Sequence, residues 1–400
     1  MRPGRLKKER YRSLIHRFCA ALAATRLRSV CFWFAGRGRL AAAPAFSSGV
    51  SALSVSLRLL NRRVALYCTL ALSLFAGACG GGGGGGGTST SATSAPASTS
   101  TASTLSGSTN VSIAAARNLP AKPVWEVYYG QASQVDLARL ASSFNVIVID
   151  ADPSGTAPNF TADQIATLKS HGAKVLSYLN VGACETWRSY WQTVPAGFVS
   201  CGANQAAQLG RYSGFSEYWM NVGNADYQNL IVNYVAPRLA ATGVDGFMLD
   251  NFEIVGHAAN AAQGPCDSAC KQGGLDLVEQ LRNAFPNAPI LLNAAPTSAI
   301  SGASGGVSFP MLVDGVFFEQ VFLPSTDSSL LQALQTWKST EVALPRSAFF
   351  TGTLDYVNSC SDTTSAQNGW TASVNAGLSP SVSIQALNQV CWWSFLPTPT

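Results

Sequence analysis

Short apolar segments alternate with amphipathic segments along residues 119–395. The apolar segments are rich in β-branched and aromatic residues and are bounded by Gly, Asn or Asp, which is typical of buried strands. The segments between them carry apolar residues three and four positions apart, which is typical of helices. The predicted strands are 124–130, 145–152, 174–182, 217–222, 243–253, 289–294, 314–321 and 347–354. The predicted helices are 135–143, 161–172, 226–243, 275–285 and 328–338.

Eight nearly all-apolar strands that alternate with helices predict a parallel sheet covered on both faces. Because the pattern extends over roughly 275 residues, a single-domain (β/α)8 TIM barrel over 118–400 is the favoured α/β fold. A doubly wound open sheet is the alternative, although no glycine-rich phosphate loop follows the first strand. The segment 390–395 is predicted either as an extra strand or as a replacement for the eighth.

Residues 1–79 have a different composition, with 14 of the 26 Lys and Arg residues and a single acidic residue, Glu9. Residues 61–79 combine a basic start, an apolar stretch and small residues before Cys79, which predicts a bacterial lipoprotein signal with Cys79 as the lipidation site. Ala76 stands where leucine is commonest in such signals, and an ordinary cleaved signal peptide is the alternative. Because residues 1–60 are Arg-rich and patternless, translation is expected to start near Leu60.

Eight glycines follow Cys79, and residues 80–117 are rich in Gly, Ser and Thr. Such a composition cannot bury a core and behaves as a flexible tether. A tether after a lipid-bearing cysteine holds a domain away from a membrane surface. The sequence therefore predicts an extracytoplasmic, lipid-anchored bacterial protein in the periplasm or on the cell surface, with secretion as the alternative.

Residues 80–400 contain 12 basic and 20 acidic residues, so their net charge is −8. The overall charge of +5 therefore describes the leader and not the folded domain. This excludes a nucleic-acid partner, since binding to phosphates needs a basic surface. An acidic domain is better suited to neutral or cationic partners.

Six cysteines remain beyond the leader, and an even number in an exported chain predicts disulfides. Pairing of sequence neighbours gives Cys184–Cys201, Cys266–Cys270 and Cys360–Cys391, one of 15 possible connectivities. The histidines beyond the leader are His171 and His257, and neither lies at ligand spacing from a cysteine pair. No metal and no cofactor are predicted.

Polar residues gather where the apolar strands end, and a (β/α)8 barrel has its active site at those carboxyl ends. Asp250 and Glu319 each follow an apolar run, FMLD and VFFE, and are the predicted catalytic pair. Further predicted cleft or substrate contacts are Asp150, Tyr178, Asn180, Glu185, Asn251, Asn293 and Trp187.

Each of these further contacts has a structural alternative. Asp150 can order its loop, Glu185 can pair with Arg188, and Trp187 can pack in the core instead of stacking on a sugar. Asn180 and Asn293 can be strand-end hydrogen bonders, and Glu253 is expected to be a loop residue near the site.

Two carboxyl groups without metal ligands or a Ser–His pair indicate glycoside hydrolysis. One group protonates the leaving oxygen, while the other attacks the anomeric carbon or activates water. Because sequence does not give their separation, the stereochemical outcome stays open at this point.

The motifs VWEVYYG, VIVIDAD, VLSYLNVGACETWRSYW, GVDGFMLDNFE and GVFFEQVF occur in the order seen in glycoside hydrolase family 114. The chain thus resembles endo-α-1,4-polygalactosaminidases over most of 122–354. The resemblance implies a (β/α)8 barrel and hydrolysis of α-1,4-linked galactosamine polymers. It matches Asp250 and Glu319 to the paired catalytic acids, and Asp150 and Tyr178 to positions lining the cleft.

One departure from the family pattern concerns the acidic residue after the strand-three glycine, since Ala183 and Cys184 intervene before Glu185. The predicted function is a lipid-anchored glycoside hydrolase that acts on an amino-sugar polysaccharide as a monomer. A non-catalytic surface protein that binds polysaccharide on the same scaffold is the alternative, because a fold does not fix an activity.

Overall fold

The computed structural model describes residues 119–152, 159–341 and 349–399. The predicted leader, the lipidation site Cys79 and the predicted linker lie outside the described residues. They stay predictions.

Thirteen strands occur in the described residues, and eight of them form one parallel sheet that nearly closes into a barrel. In chain order the strands are β1 Trp125–Tyr128, β2 Val146–Ile149, β3 Lys174–Asn180, β4 Ala183–Glu185, β5 Gln208–Arg211, β6 Glu217–Met220, β7 Gly246–Asp250, β8 Ile290–Asn293, β9 Ala303–Ser304, β10 Val307–Ser308, β11 Gly315–Glu319, β12 Phe350–Val357 and β13 Ser379–Ile384. The barrel order is β1-β2-β3-β7-β8-β11-β12-β13. At the closure, the Trp125 indole Nε1 on β1 donates to the Ser379 carbonyl on β13 over 2.9 Å. The predicted (β/α)8 fold is confirmed.

One predicted barrel strand is wrong, and the bounds and rank of another differ. The fourth, 217–222, forms β6 in a separate antiparallel sheet, where Tyr218 pairs with Cys184 and Arg211. The strand predicted over 347–354 is β12, which begins at Phe350 and is the seventh barrel strand, while the eighth is β13. Segment 390–395 is not a strand. β13 escaped prediction because its sequence, SPSVSI, has a proline and three serines, although its interior positions are buried.

Helices lie between the barrel strands, and several begin at side-chain caps of the kind the sequence predicts. Asp136 and Asp267 each accept a hydrogen bond from a first-turn backbone N–H, and Thr161 forms a capping box with Gln164. The helices are α1 Leu137–Ser143, α2 Ala162–Leu168, α3 Ser189–Gln192, α4 Ala225–Leu230, α5 Ala236–Ala240, α6 Ser268–Ala284, α7 Ser328–Glu341 and α8 Thr363–Asn375. A π-helical turn, Ile231–Val235, joins α4 to α5. Among the described helices, none combines the length and apolar character needed to cross a bilayer.

The barrel interior is apolar at its base and phenolic at the carboxyl ends of the strands. Trp125 lies in the interior with its ring centroid 5.1 Å from that of Phe317 and 5.2 Å from that of Phe350. Three tyrosines pack on top of this cluster, and they are Tyr129, Tyr178 and Tyr356. The apolar filling therefore ends where the polar strand-end residues begin.

An insert of residues 183–220 leaves the barrel between β3 and β7 and forms the antiparallel sheet β4-β6-β5. The Cys184–Cys201 disulfide ties its first strand to the following loop. The other disulfides join Cys266 to Cys270 and Cys360 to Cys391, so all three predicted pairings are confirmed.

Candidate active site

Three adjacent barrel strands, β7, β8 and β11, end in Asp250, Asn293 and Glu319. The residue after each of them has a left-handed backbone, with φ of 57° at Asn251, 55° at Ala294 and 55° at Gln320. Left-handed backbone is uncommon for residues other than glycine, and strain of this kind concentrates at functional sites. The chain therefore turns sharply directly after each of these polar side chains.

Asn293 joins the two predicted catalytic carboxyl groups. Its Nδ2 donates to Asp250 Oδ1 over 2.9 Å and to Glu319 Oε1 over 2.8 Å. The Tyr356 hydroxyl, from β12, donates to Glu319 Oε2 over 2.7 Å. Four neighbouring strands thus place two carboxyl groups and their hydrogen-bond donors around one point.

The two carboxyl groups influence each other's ionisation. Burial raises the pKa of Asp250 to about 6, and the nearby Glu319 carboxylate adds to the rise. Hydrogen bonds from Asn293 and from the Asn251 backbone act in the opposite direction, because they favour the charged form. Burial and Glu319 also raise the pKa of the Tyr356 hydroxyl, so this group stays protonated and donates.

Arg188 lies in the insert between β4 and α3, and its guanidinium pairs with three carboxylates. Its guanidinium lies 3.0 Å from Asp150, 3.3 Å from Asp152 and 3.3 Å from Glu185, and its side chain is 3% exposed. Asp152 also pairs with Arg238 over 3.0 Å. Burial raises the pKa of Glu185, and the Arg188 charge opposes that rise. These pairs attach the insert to the carboxyl end of β2.

Two further carboxyl groups lie close to the predicted pair. Glu217, on β6, accepts from Asn180 over 2.8 Å and from Asn251 over 3.4 Å. Burial raises the pKa of Glu217 to about 7, with Glu185 and Asp250 adding to the rise. Burial also raises the pKa of Glu253 to about 8, with Asp250 as the next cause.

These groups open into one cleft of about 750 Å³. Among the described residues that line it, seven have carboxyl groups and one, Arg188, is a permanent cation. The seven are Asp150, Asp152, Glu185, Glu217, Asp250, Glu253 and Glu319. No lysine or arginine in the described ranges forms an ion pair with Glu217, Asp250, Glu253 or Glu319. On the side of the predicted catalytic pair, the cleft therefore holds carboxyl groups without a neighbouring cation.

Most of the predicted site residues line this cleft together. They are Asp150, Tyr178, Glu185, Trp187, Asp250, Asn251, Asn293 and Glu319. Asn180 does not line it. It is 1% exposed and lies beneath the cleft, where it holds Glu217 and accepts from the Ala183 N–H.

Sequence analysis missed Glu217, Tyr356 and Phe215 as cleft residues. Glu217 and Phe215 lie on the insert, which the sequence pattern presents as part of the barrel. Tyr356 follows the predicted end of its strand by two residues. The signal is the apolar residue followed by a carboxylate, Leu354 and Asp355, directly before Tyr356, since β7 and β11 end in the same pattern.

The described residues contain no group of three His, Cys, Asp or Glu side chains arranged to hold a metal ion.

A (β/α)8 barrel that brings two hydrogen-bonded carboxyl groups together at the carboxyl ends of its strands has the architecture of a glycoside hydrolase. The model of glycoside-hydrolase family GH114 matches residues 107–276, which extend from before β1 into α6. This match agrees with the resemblance carried by the sequence motifs, and over these residues the chain is similar to family GH114.

Two structures of one solved domain support the same fold. The glycoside hydrolase domain of PelA from Pseudomonas aeruginosa is 15% identical over 67% of this chain and 97% of that domain, with a TM-score of 0.52. A variant of the same PelA domain gives 15% identity, the same coverage and a TM-score of 0.50. Aspergillus fumigatus Ega3 in complex with galactosamine is 17% identical over 68% of this chain and 94% of that protein, with a TM-score of 0.47. Among curated proteins none matches the chain.

Proposed function

We propose that this glycoside hydrolase cleaves α-1,4-linked, galactosamine-containing polysaccharide, with Asp250 and Glu319 as its catalytic carboxyl groups. The observation that carries the proposal is the shared amide donor. Because Asn293 Nδ2 bonds to one oxygen of each group, both carboxyl groups face the same point of the open cleft. A glycosidic bond at that point lies within reach of one carboxyl group that can protonate the leaving oxygen and a second that can act at the anomeric carbon.

The separation of the two groups supports a retaining mechanism. Both hydrogen bonds to Asn293 Nδ2 are shorter than 3 Å, so the two acceptor oxygens lie less than about 6 Å apart. Retaining enzymes place their carboxyl groups about 5–5.5 Å apart, whereas inverting enzymes leave about 6.5–9.5 Å for a water molecule.

In the proposed first step, one carboxylate forms a bond to the anomeric carbon while the glycosidic C–O bond breaks. The other carboxyl group gives its proton to the leaving oxygen. Water then attacks the anomeric carbon, its proton returns to the second group, and the enzyme–sugar bond breaks. The resemblance matches the pair without assigning the two roles, and we propose Asp250 as the nucleophile and Glu319 as the acid/base. The donors Asn293 and Tyr356 hold Glu319 by both of its oxygens.

The charge of the cleft supports an amino-sugar substrate. A deacetylated galactosamine unit carries an ammonium group at neutral pH, and the carboxyl groups beside the proposed pair have no cationic partner among the described residues. A neutral sugar offers nothing to offset the repulsion among these groups, whereas an ammonium group does.

Three disulfides support an extracytoplasmic location, because such bonds persist in oxidising compartments. Attachment to a membrane through Cys79 belongs to the same proposal and is tested by metabolic labelling with a fatty acid. The expected result is label in the wild type and none in Cys79→Ser.

Release of reducing ends from partly deacetylated α-1,4-galactosaminogalactan tests the activity. The wild type, Asp250→Asn and Glu319→Gln are compared, and Asp276→Asn, on the outer helix α6, is the matched control. Release by the wild type and the control, with loss in both site variants and unchanged thermal unfolding, is the expected result. Polymer binding without release would favour a non-catalytic binding protein instead.

A further inference from the structure

Two aromatic side chains stand exposed at the rim of the cleft. Trp187 is 58% exposed and Phe215 is 60% exposed, and both line the cleft from the insert and not from the barrel. In the described residues one other large hydrophobic side chain is comparably exposed, Val374 on the outer helix α8. Large exposed apolar side chains that cluster at a cleft indicate a contact surface. We call Trp187 and Phe215 the rim pair.

The pairing of β4 with β6 brings the rim pair together. Glu185 lies opposite Glu217 in the last paired position, and the Thr186 N–H donates to the Ser216 carbonyl over 2.8 Å just beyond it. Trp187 and Phe215 are the next residues along the two chains. Trp187 lies two positions after Glu185, and Phe215 lies two positions before Glu217, so each rim residue is close in sequence to a cleft carboxyl group.

Both rings are held from behind. The Arg188 guanidinium lies 4.0 Å from the centre of a Trp187 ring. The Phe215 ring centroid lies 4.9 Å from that of Tyr212, which itself stacks on Trp219 at 4.2 Å. A ring fixed in this way loses little side-chain freedom when a ligand stacks on its open face.

The exposed rings of the rim pair and the carboxyl groups beneath them match the chemistry of an amino sugar. The C–H groups of a pyranose ring pack against an aromatic face, and an ammonium group is attracted both to such a face and to a carboxylate. The rim pair supplies the exposed rings, while Glu185 and Glu217 lie deeper, each 6% exposed. A purely apolar ligand would make no favourable contact with these carboxyl groups, whereas the ammonium group of an amino sugar would. The face therefore favours an amino sugar as the occupant.

We infer that the rim pair forms a subsite for an amino-sugar unit of the polymer other than the unit at the bond being cleaved. This inference rests on the proposed function, since the polymer is the same. A chain bound at the carboxyl ends of the barrel strands and at the insert together spans more units than the catalytic point alone. The rim pair therefore makes efficient cleavage depend on chain length.

The test measures kcat/KM on α-1,4-galactosamine oligomers of two to ten units for the wild type and for the Trp187→Ala/Phe215→Ala double variant. The expected result is a loss of at least about tenfold on the long oligomers, through KM, with less than about twofold change on the shortest cleaved oligomer. Val374→Ala is the control for loss of an exposed hydrophobic side chain, and its profile follows the wild type. Trp187→Tyr/Phe215→Tyr, which keeps two rings, restores most of the length dependence.

An equal loss at every length, or no loss at any length, would overturn the inference. A second measurement separates its failure from failure of the proposed function. Binding of the same oligomers to Asp250→Asn, with and without the two alanine substitutions, is followed by calorimetry. If the wild type shows no cleavage, and long oligomers still bind through the rim pair, the subsite stands and the hydrolase proposal fails. An oligomer affinity that is unchanged by the two alanine substitutions would refute the subsite.

Discussion

Asn293 occupies the position on which the proposed chemistry depends most. Its single amide nitrogen bonds to Asp250 and to Glu319, and its own side chain is 7% exposed. Because both carboxylates accept from the same donor, a change at Asn293 alters the orientation and the ionisation of both. The sequence alone is compatible with Asn293 as a strand-end hydrogen bonder or as a ligand contact. The structure shows that it bonds to both members of the predicted pair.

Asn293→Ala is expected to lower kcat by about 10²-fold, the cost typical of losing one aligned donor in an active site. The substitution also shifts the pH profile. The amide lowers the pKa of Asp250 by favouring its charged form, so its loss raises that pKa and moves the acid limb of kcat/KM to higher pH. The measurement is kcat/KM between pH 4 and 8. An acid limb that stays in place or moves to lower pH would contradict this role.

Tyr356→Phe removes one hydroxyl group that bonds to Glu319 over 2.7 Å. The expected result is a fall in kcat of about 10-fold or more with little change in thermal stability, since the ring keeps its packing. Tyr234→Phe, on the helical segment outside the cleft, is the matched control and should retain wild-type kcat. A wild-type rate in Tyr356→Phe would show that the hydroxyl does not act through Glu319.

At the scale of elements, the insert is the feature that sequence analysis placed in the wrong part of the fold. β6 has the aromatic, partly alternating composition of a barrel strand, EYWM, and it precedes a helix as a barrel strand does. What distinguishes it is its partner, since it pairs antiparallel with β4 and β5. Pairing partners far apart in sequence are set by tertiary packing, which a local hydrophobic pattern does not reveal.

Arg188 holds this insert to the barrel, and Arg188→Met should destabilise the protein by about 3–5 kcal/mol at neutral pH, because three buried carboxylates lose their partner. Arg188 opposes the rise in the pKa of Glu185, so its removal raises that pKa further. A raised folded-state pKa costs stability as the pH rises above the unfolded value and costs none below it. The gap to wild type should therefore shrink towards pH 4.

Urea unfolding of both proteins at pH 4.5 and 7.5 measures that gap. Arg139→Met, which removes a guanidinium stacked on Trp392 away from the cleft, is the control and should show a gap that does not depend on pH. A gap for Arg188→Met that is constant or that widens on acidification would show that these ion pairs do not support the insert.

The disulfides separate effects on the cleft from effects on stability. Cys184–Cys201 closes 17 residues within the insert, and Cys360–Cys391 closes 31 residues outside it. Paired Cys→Ser substitutions should cost about 3 and about 4 kcal/mol respectively, in the chain-entropy account. Removal of the first bond should also raise KM for long oligomers, because it loosens the surface that carries the rim pair. Removal of the second should raise KM less, because only Gln385, Ala386 and Leu387 of the loop that it closes line the cleft. Equal KM effects would contradict this division.

At the scale of the whole molecule, the charge of the cleft decides which substrates approach it. Sequence composition predicted an acidic domain of net charge −8, but not that the carboxylates without cationic partners lie beside the catalytic pair. That arrangement arises because Arg188 neutralises one side of the cleft and leaves the other side acidic. Composition gives a sum, whereas the field at a site depends on which charges the fold brings together.

Salt should therefore slow the enzyme on its proposed substrate. A rise in ionic strength from about 0.02 M to 0.5 M screens charges beyond a few ångströms, and kcat/KM for a deacetylated oligomer should fall several-fold. A fully N-acetylated oligomer of the same length carries no charge and provides the control, with a rate that salt leaves unchanged. The same dependence for both oligomers would show that the acidic cleft plays no part in attracting the substrate.

The fold class, the three disulfides and the predicted carboxyl pair could all be derived from strand patterns, cysteine count and strand ends. The assignment of β13 could not, because its Pro- and Ser-containing sequence matches a loop as well as a strand. The supporting donor Tyr356 also escaped, since a tyrosine next to an aspartate has many uses, and only the neighbouring strand β11 gives it a carboxylate partner.

The central claim is that Asp250 and Glu319 cleave an α-1,4-linked amino-sugar polymer with retention of configuration. Proton NMR of the anomeric region, recorded within minutes of adding the protein to a deacetylated α-1,4-galactosamine oligomer, tests it most directly. The account predicts that new reducing ends appear first as the α-anomer and then equilibrate, and that neither Asp250→Asn nor Glu319→Gln releases them. Ends that appear first as the β-anomer, or that continue to appear in either variant, would contradict it.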